Sequence, residues 1–74
     1  MLSRHHTNWR LRSIDILQMA PSNTIFYTHP MTISEKDANL IREILIKAIS
    51  AVEPLVEPSP SEKTFCLNID WFEF

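Results

Sequence analysis

The stretch Ile33–Pro54, with the sequence ISEKDANLIREILIKAISAVEP, decides the fold because it predicts one amphipathic helix over about residues 35–53. Ser34 is suited to be the N-cap, since its hydroxyl can accept a backbone N–H of the first turn. Glu35 and Asp37 then place negative charge at the positive end of the helix dipole. Together these features predict where the helix begins.

The apolar side of this helix covers roughly half of the circumference, which is wider than the ~100° stripe of an ordinary surface helix. At about 100° per residue, this side holds Ala38, Leu40, Ile41, Ile44, Leu45, Ala48, Ile49, Ala51 and Val52. Ile46 is the exception, because it lies among the polar residues. Pro54 has no backbone donor, so the helix is expected to end just before it.

Two other segments have the alternating pattern that is typical of β-strands. Residues 24–33 are rich in β-branched and aromatic side chains with a period of two, and Pro30 favours an edge position or a bulge there. Residues 64–74 alternate in the same way until Phe72 and Phe74 place large apolar groups on the other parity. We therefore predict strands over about residues 24–33 and 64–74.

The remaining segments complete an α–β–α–β order. Composition favours a helix over about residues 4–19, and the prolines of residues 54–63 indicate a stiff polar linker. The chain is thus predicted to be one small α+β domain over residues 1–74, with the long amphipathic helix packed on a small sheet of parallel strands. Because two strands alone make a poor sheet, a partner or a second copy is expected to complete it.

Length and composition exclude several classes of protein. Seventy-four residues form at most one domain. Cys66 is the only cysteine, which excludes an internal disulfide and fits a reducing cytosol. There is no signal peptide and no apolar run near the ~18 residues that span a bilayer, so we expect a cytoplasmic protein without membrane contact. The absence of glycine excludes the commonest nucleotide-binding loops.

Charge is distributed unevenly along the chain. Residues 1–34 carry three arginines and one acid, a net +2, whereas residues 35–74 carry four basic and eight acidic side chains, a net −4. Either this is ordinary surface charge, or a basic N-terminal face meets an acidic partner or the domain's own acidic half. Trp9 beside Arg10 and Arg12 has the pattern of a nucleic-acid contact, but three arginines are too few for strong phosphate binding. We therefore expect no direct nucleic-acid binding.

No spacing in the sequence singles out a catalytic or metal site. A zinc site would need His29, Cys66 and Asp70 to converge from different segments. With Cys66 as a nucleophile and His29 as its base, a third, orienting group would be missing, and a lone cysteine in a strand is more often a small buried hydrophobe. We therefore predict a protein that is not an enzyme and that holds no metal or cofactor.

Three short patterns resemble those of a known family. They are Arg4-His5-His6 followed by Ile14-Asp15-Ile16-Leu17, then Met31-Thr32-Ile33-Ser34, and finally Leu67-Asn68-Ile69-Asp70-Trp71-Phe72. In these the chain resembles the C-terminal domain, of unknown function, of a bacterial family of predicted helix-turn-helix transcriptional regulators. No helix-turn-helix pattern is present, so the resemblance implies a regulatory or assembly domain without the DNA-binding half. It supplies no catalytic residues.

Two functional hypotheses follow. The first is a non-catalytic association or regulatory domain of a bacterial transcriptional regulator, which acts through protein–protein contacts. Its partner is either a second copy, which makes it a homodimer, or a neighbouring domain of a longer chain. Since aromatic residues are enriched in interfaces, its candidate contacts are Ile46, Trp71, Phe72 and Phe74. The alternative is a small-molecule-sensing module, with a ligand between helix and sheet near Tyr27, His29 and Trp71.

Overall fold

Two α-helices are the regular elements of this chain. The computed structural model describes residues 2–19 and 22–74, with side chains from residue 4 onward, and α1 spans Leu2–Met19 while α2 spans Glu35–Val56. Within those ranges there is no strand, so the predicted α+β class is wrong and the described part is all-α. Neither α1 nor α2 is long and apolar enough to cross a membrane.

Helix α1 forms where the content of Leu, Arg, Gln and Met favours a helix, and it begins two residues before the predicted start. Its first turn holds no acidic residue and its last turn no basic residue, so no side chain compensates the helix dipole. Within the helix, Ser13 Oγ donates to the carbonyl oxygen of Arg10 at 2.6 Å, which satisfies the hydroxyl locally. Composition rather than capping therefore favours this helix.

Helix α2 begins as the sequence predicts. Ser34 has an extended backbone, with φ −69° and ψ 155°, and its Oγ accepts the N–H of Asp37 at 3.1 Å. The carbonyl oxygen of Ser34 accepts the N–H of Ala38 at 2.9 Å. Glu35 and Asp37 are the acidic residues of the first turn. The predicted N-cap at Ser34 is confirmed.

The predicted end of α2 is wrong, because the helix continues through Pro54 to Val56. Proline lacks an N–H donor and its ring crowds the carbonyl group four residues earlier, but its φ near −65° matches the φ of a helix, and the helix continues for two residues beyond it. Glu57 is the C-cap, and the N–H of Ser59 then donates to the carbonyl oxygen of Val56 at 3.3 Å in a turn. The linker predicted over residues 54–63 therefore starts only after residue 56.

The two predicted strands are also wrong. Residues 24–33 and 64–74 have no regular secondary structure. An alternating pattern assigns side chains to two faces, but a strand persists only when its backbone groups pair with a neighbouring strand. The described segments provide no such pairing, so the predicted sheet, its parallel strands and its open edges for a partner are absent from this part of the chain.

The chain divides into two compact units, one containing α1 with the segment Phe65–Phe72, the other containing α2 within Pro30–Thr64. No described side chain in either unit is buried. In the second unit the half-buried residues are Met31, Ala38, Ile41 and Leu45. Among the described residues, neither unit therefore has a core from which water is excluded, and the regular structure of each unit is its helix. That residues 1–74 form a single domain stays a prediction.

Candidate functional site

The most densely bonded side chain of the described residues is Arg10, which connects α1 to the C-terminal segment. Its Nε donates to both carboxylate oxygens of Asp70 at 2.7 Å, and the two side chains form a salt bridge. Its Nη2 donates to the carbonyl oxygen of Ile69 at 3.1 Å. Its Nη1 donates to the carbonyl oxygen of His6, one turn earlier on α1, at 3.0 Å. We call His6, Arg10, Ile69 and Asp70 the Arg10 clasp.

Electrostatics in the Arg10 clasp keep the guanidinium charged. The hydrogen bond that Arg10 donates to Asp70 is the main cause that raises the pKa of Arg10. Desolvation opposes this effect, and the negative charge of Asp70 adds to it. The side chains of Arg10 and Asp70 remain 28% and 49% exposed. Water therefore screens the pair, which positions the segment more than it stabilises the chain. The charge of Arg10 is also paired with that of Asp70, so Arg10 is less suited to bind a phosphate.

A shallow cleft surrounds the Arg10 clasp. Besides the clasp residues, Thr7, Trp71 and Phe72 line it. Trp71 is 37% exposed, whereas Phe72 is mostly exposed. The cleft thus combines aromatic rings with a pair of opposite charges whose positions are fixed by hydrogen bonds. Aromatic residues and arginine are both enriched in protein interfaces.

The residues predicted for a small-molecule site meet only in part. The Tyr27 hydroxyl lies 3.1 Å from His29 Nδ1, and the two rings are nearly perpendicular at a centroid distance of 6.2 Å. Both side chains are exposed. Trp71 instead lines the cleft beside the Arg10 clasp. Since the described residues form no sheet, the predicted position of a ligand between helix and sheet is wrong.

The residues predicted for an interface are all accessible. Ile46 is 40% exposed on α2. Phe72 and Phe74 lie with their ring centroids 6.3 Å apart, and Phe74 is almost fully exposed. Together with Trp71 these side chains are free to contact another protein. Their role in an interface stays a prediction.

The three residues considered for metal binding or catalysis each have a different neighbour. His29 contacts Tyr27, Asp70 binds Arg10, and Cys66 Sγ donates to Asn68 Oδ1 at 3.7 Å. In the part of the chain that is described, no three His, Cys, Asp or Glu side chains lie together as metal ligands. Cys66 is exposed, so the expectation of a buried cysteine is wrong. That the protein is not an enzyme stays a prediction.

Sequence reasoning missed a division within the apolar side of α2. Ala38, Ile41 and Leu45 are half-buried, whereas the neighbouring row formed by Leu40, Ile44, Ala51 and Leu55 is exposed. The exposed fractions are 55% for Leu40, 63% for Ile44 and 71% for Leu55. We call these four exposed residues the outer row. The unusual width of the apolar side was the signal in the sequence that more than one surface could pack against it.

Sequence reasoning also missed the pairing of Arg10 with Asp70, which are 60 residues apart. The only signal for it was the opposite charge of the two parts of the chain. No protein-family model matches this chain, and neither a curated protein nor a solved structure shows significant similarity to it. The resemblance to a family of transcriptional regulators therefore stays a prediction from its three sequence patterns.

Proposed function

We propose that this chain is a non-catalytic association segment of a cytoplasmic bacterial transcriptional regulator, and that it acts by binding a second copy of itself. The observation that supports the association is the absence of any buried side chain among the described residues, although both helices carry large apolar side chains. Apolar surface of this kind is stabilised when another protein covers it. The link to transcription comes from the resemblance alone.

The exposure of the large apolar side chains on α2 supports a protein partner. Leu40, Ile44 and Leu55 are 55%, 63% and 71% exposed. These residues extend over several turns of one helix, and an apolar surface of this length is the kind that a second protein covers.

A second copy fits this exposed apolar surface better than a small ligand does. Ligand sites are concave and enclose most of the ligand surface. The Tyr27–His29 pair is exposed, and the cleft at the Arg10 clasp is shallow. Apolar side chains instead lie along both α1 and α2, where a second protein can cover many of them at once.

The test is the solution mass of the chain by light scattering over a dilution series from high to low micromolar. We expect twice the monomer mass of 8.7 kDa at the upper end and dissociation on dilution. Circular dichroism at each concentration reports whether the helices remain formed. A constant monomer mass at every concentration would contradict the proposal, and so would a polydisperse aggregate without a defined dimer.

A further inference from the structure

We infer that α2 pairs in an antiparallel orientation with α2 of a second copy, through the outer row. Leu40 then lies against Leu55 of the second copy, and Ile44 lies against Ala51 of the second copy. This inference rests on the proposed self-association and names the surface that carries it.

The outer row is a separate surface from the partly covered face of α2. At about 100° per residue, its four members lie within roughly 60° of one another, and they extend for roughly 22 Å along the helix. Ala38, Ile41 and Leu45 lie on average about 100° further round and are already half-buried. The N-terminal part of that second face is therefore already partly covered. The outer row is left for a partner.

The spacing within the outer row is self-complementary. Leu40 and Leu55 are equally distant from the midpoint between Lys47 and Ala48, and the same holds for Ile44 and Ala51. A single two-fold axis at that midpoint therefore forms both pairs, and each is formed twice in the dimer. Lys47 lies at the margin of the row, from where its long side chain can extend into solvent.

The sizes of the side chains favour the antiparallel orientation. It places the large Ile44 against the small Ala51, so the two helix axes can keep a constant separation. A parallel pair would place Ile44 against Ile44 and Ala51 against Ala51. The two Ile44 side chains would set the separation of the helix axes, so a gap would remain between the two Ala51 side chains. Such a gap loses dispersion contacts.

The first experiment compares Ile44→Glu with Ile46→Glu. The two positions carry the same residue on the same helix, about 160° apart around its axis, so helix propensity changes equally in both variants. We expect Ile44→Glu to raise the dimer Kd about 100-fold or more, because two isoleucines per dimer are replaced by charges. Ile46 is the competing candidate contact that the sequence suggested, and it lies on the other side of α2. If the outer row carries the contact, Ile46→Glu is expected to change the Kd less than about threefold.

The outcomes separate this inference from the proposed function. A dimer that survives Ile44→Glu but dissociates with Ile46→Glu would overturn the outer row and leave self-association intact. A wild-type chain that is monomeric at all concentrations would overturn both. Circular dichroism of each variant checks that α2 is still helical, so a loss of mass reports the contact and not unfolding.

The second experiment tests the orientation of the two helices. In a Cys66→Ser background, Leu40→Cys and Leu55→Cys chains are oxidised separately and as a mixture. A disulfide needs Cα atoms within about 7 Å, and equal positions of an antiparallel pair lie roughly 22 Å apart. We expect cross-linking in the mixture alone. Cross-linking of either variant by itself would overturn the antiparallel register. The absence of any cross-link in the mixture would overturn it as well.

Discussion

At the scale of single residues, Arg10 is expected to hold the C-terminal segment on α1. Its guanidinium binds the Asp70 carboxylate and the Ile69 carbonyl oxygen. Arg10→Gln removes the charge and most of these donors, so residues 65–72 should become mobile on the picosecond–nanosecond scale. Backbone order parameters at Ile69 and Asp70, measured by nitrogen-15 relaxation, are expected to fall below about 0.6.

Arg12→Gln is the matched control, because it removes the same side chain two residues further along α1, where the arginine is exposed. It should leave those order parameters unchanged. The raised pKa of Arg10 means that its guanidinium is fully charged below the ordinary arginine pKa and loses its charge only as the pH rises through the higher folded value. Titration of Arg10 therefore does not interfere near neutral pH. Unchanged order parameters in Arg10→Gln would show that other contacts hold the segment.

At the scale of secondary-structure elements, the cap of α2 is expected to set the stability of that helix. Ser34 Oγ satisfies the N–H of Asp37, which has no partner within the helix. Ser34→Ala should therefore lower the free energy of unfolding by about 1 kcal/mol. Urea titration followed by circular dichroism measures this change. Ser34→Asp, which keeps an acceptor at the cap, is the control that should unfold like the wild type, and equal stability of all three would argue against the cap.

The same scale explains how much of the fold could be predicted from the sequence. The start of α2 was predictable because the cap at Ser34 acts within one turn of the chain. The strands over 24–33 and 64–74 were not, because an alternating pattern carries no information about the distant segment that must pair with it. Pro54 was given too much weight, since a proline in the last turn removes only one helical hydrogen bond.

The candidate site was predictable only where it depended on neighbouring residues. The exposed apolar side of α2 follows from its periodicity, although the division into a half-buried face and the outer row required the structure. The contact between Arg10 and Asp70 joins residues 60 positions apart, and opposite charges at that separation have many possible partners. A single sequence gives no means of choosing among them.

At the scale of the whole molecule, the proposed contact between two copies is expected to be the main source of stability, since no described side chain is buried. A chain of this length gains only about 3–5 kcal/mol from a core of its own, and here no described residue contributes to one. In proteins, a helix gains most of its stability from packing of its apolar face and not from local propensity. The helices of this chain are therefore expected to be most stable when a second copy covers the outer row.

This coupling predicts that the melting temperature depends on protein concentration. When unfolding also separates two copies, mass action favours the folded dimer as concentration rises, so each tenfold increase should raise Tm by about 5 °C for a dimer of this size. Thermal unfolding followed by circular dichroism over a hundredfold range of concentration measures the shift. Ile46→Glu should keep this dependence and Ile44→Glu should lose it. A Tm that is constant for the wild-type chain would mean that folding and association are independent, and the stability of the helices would then have to come from within each copy.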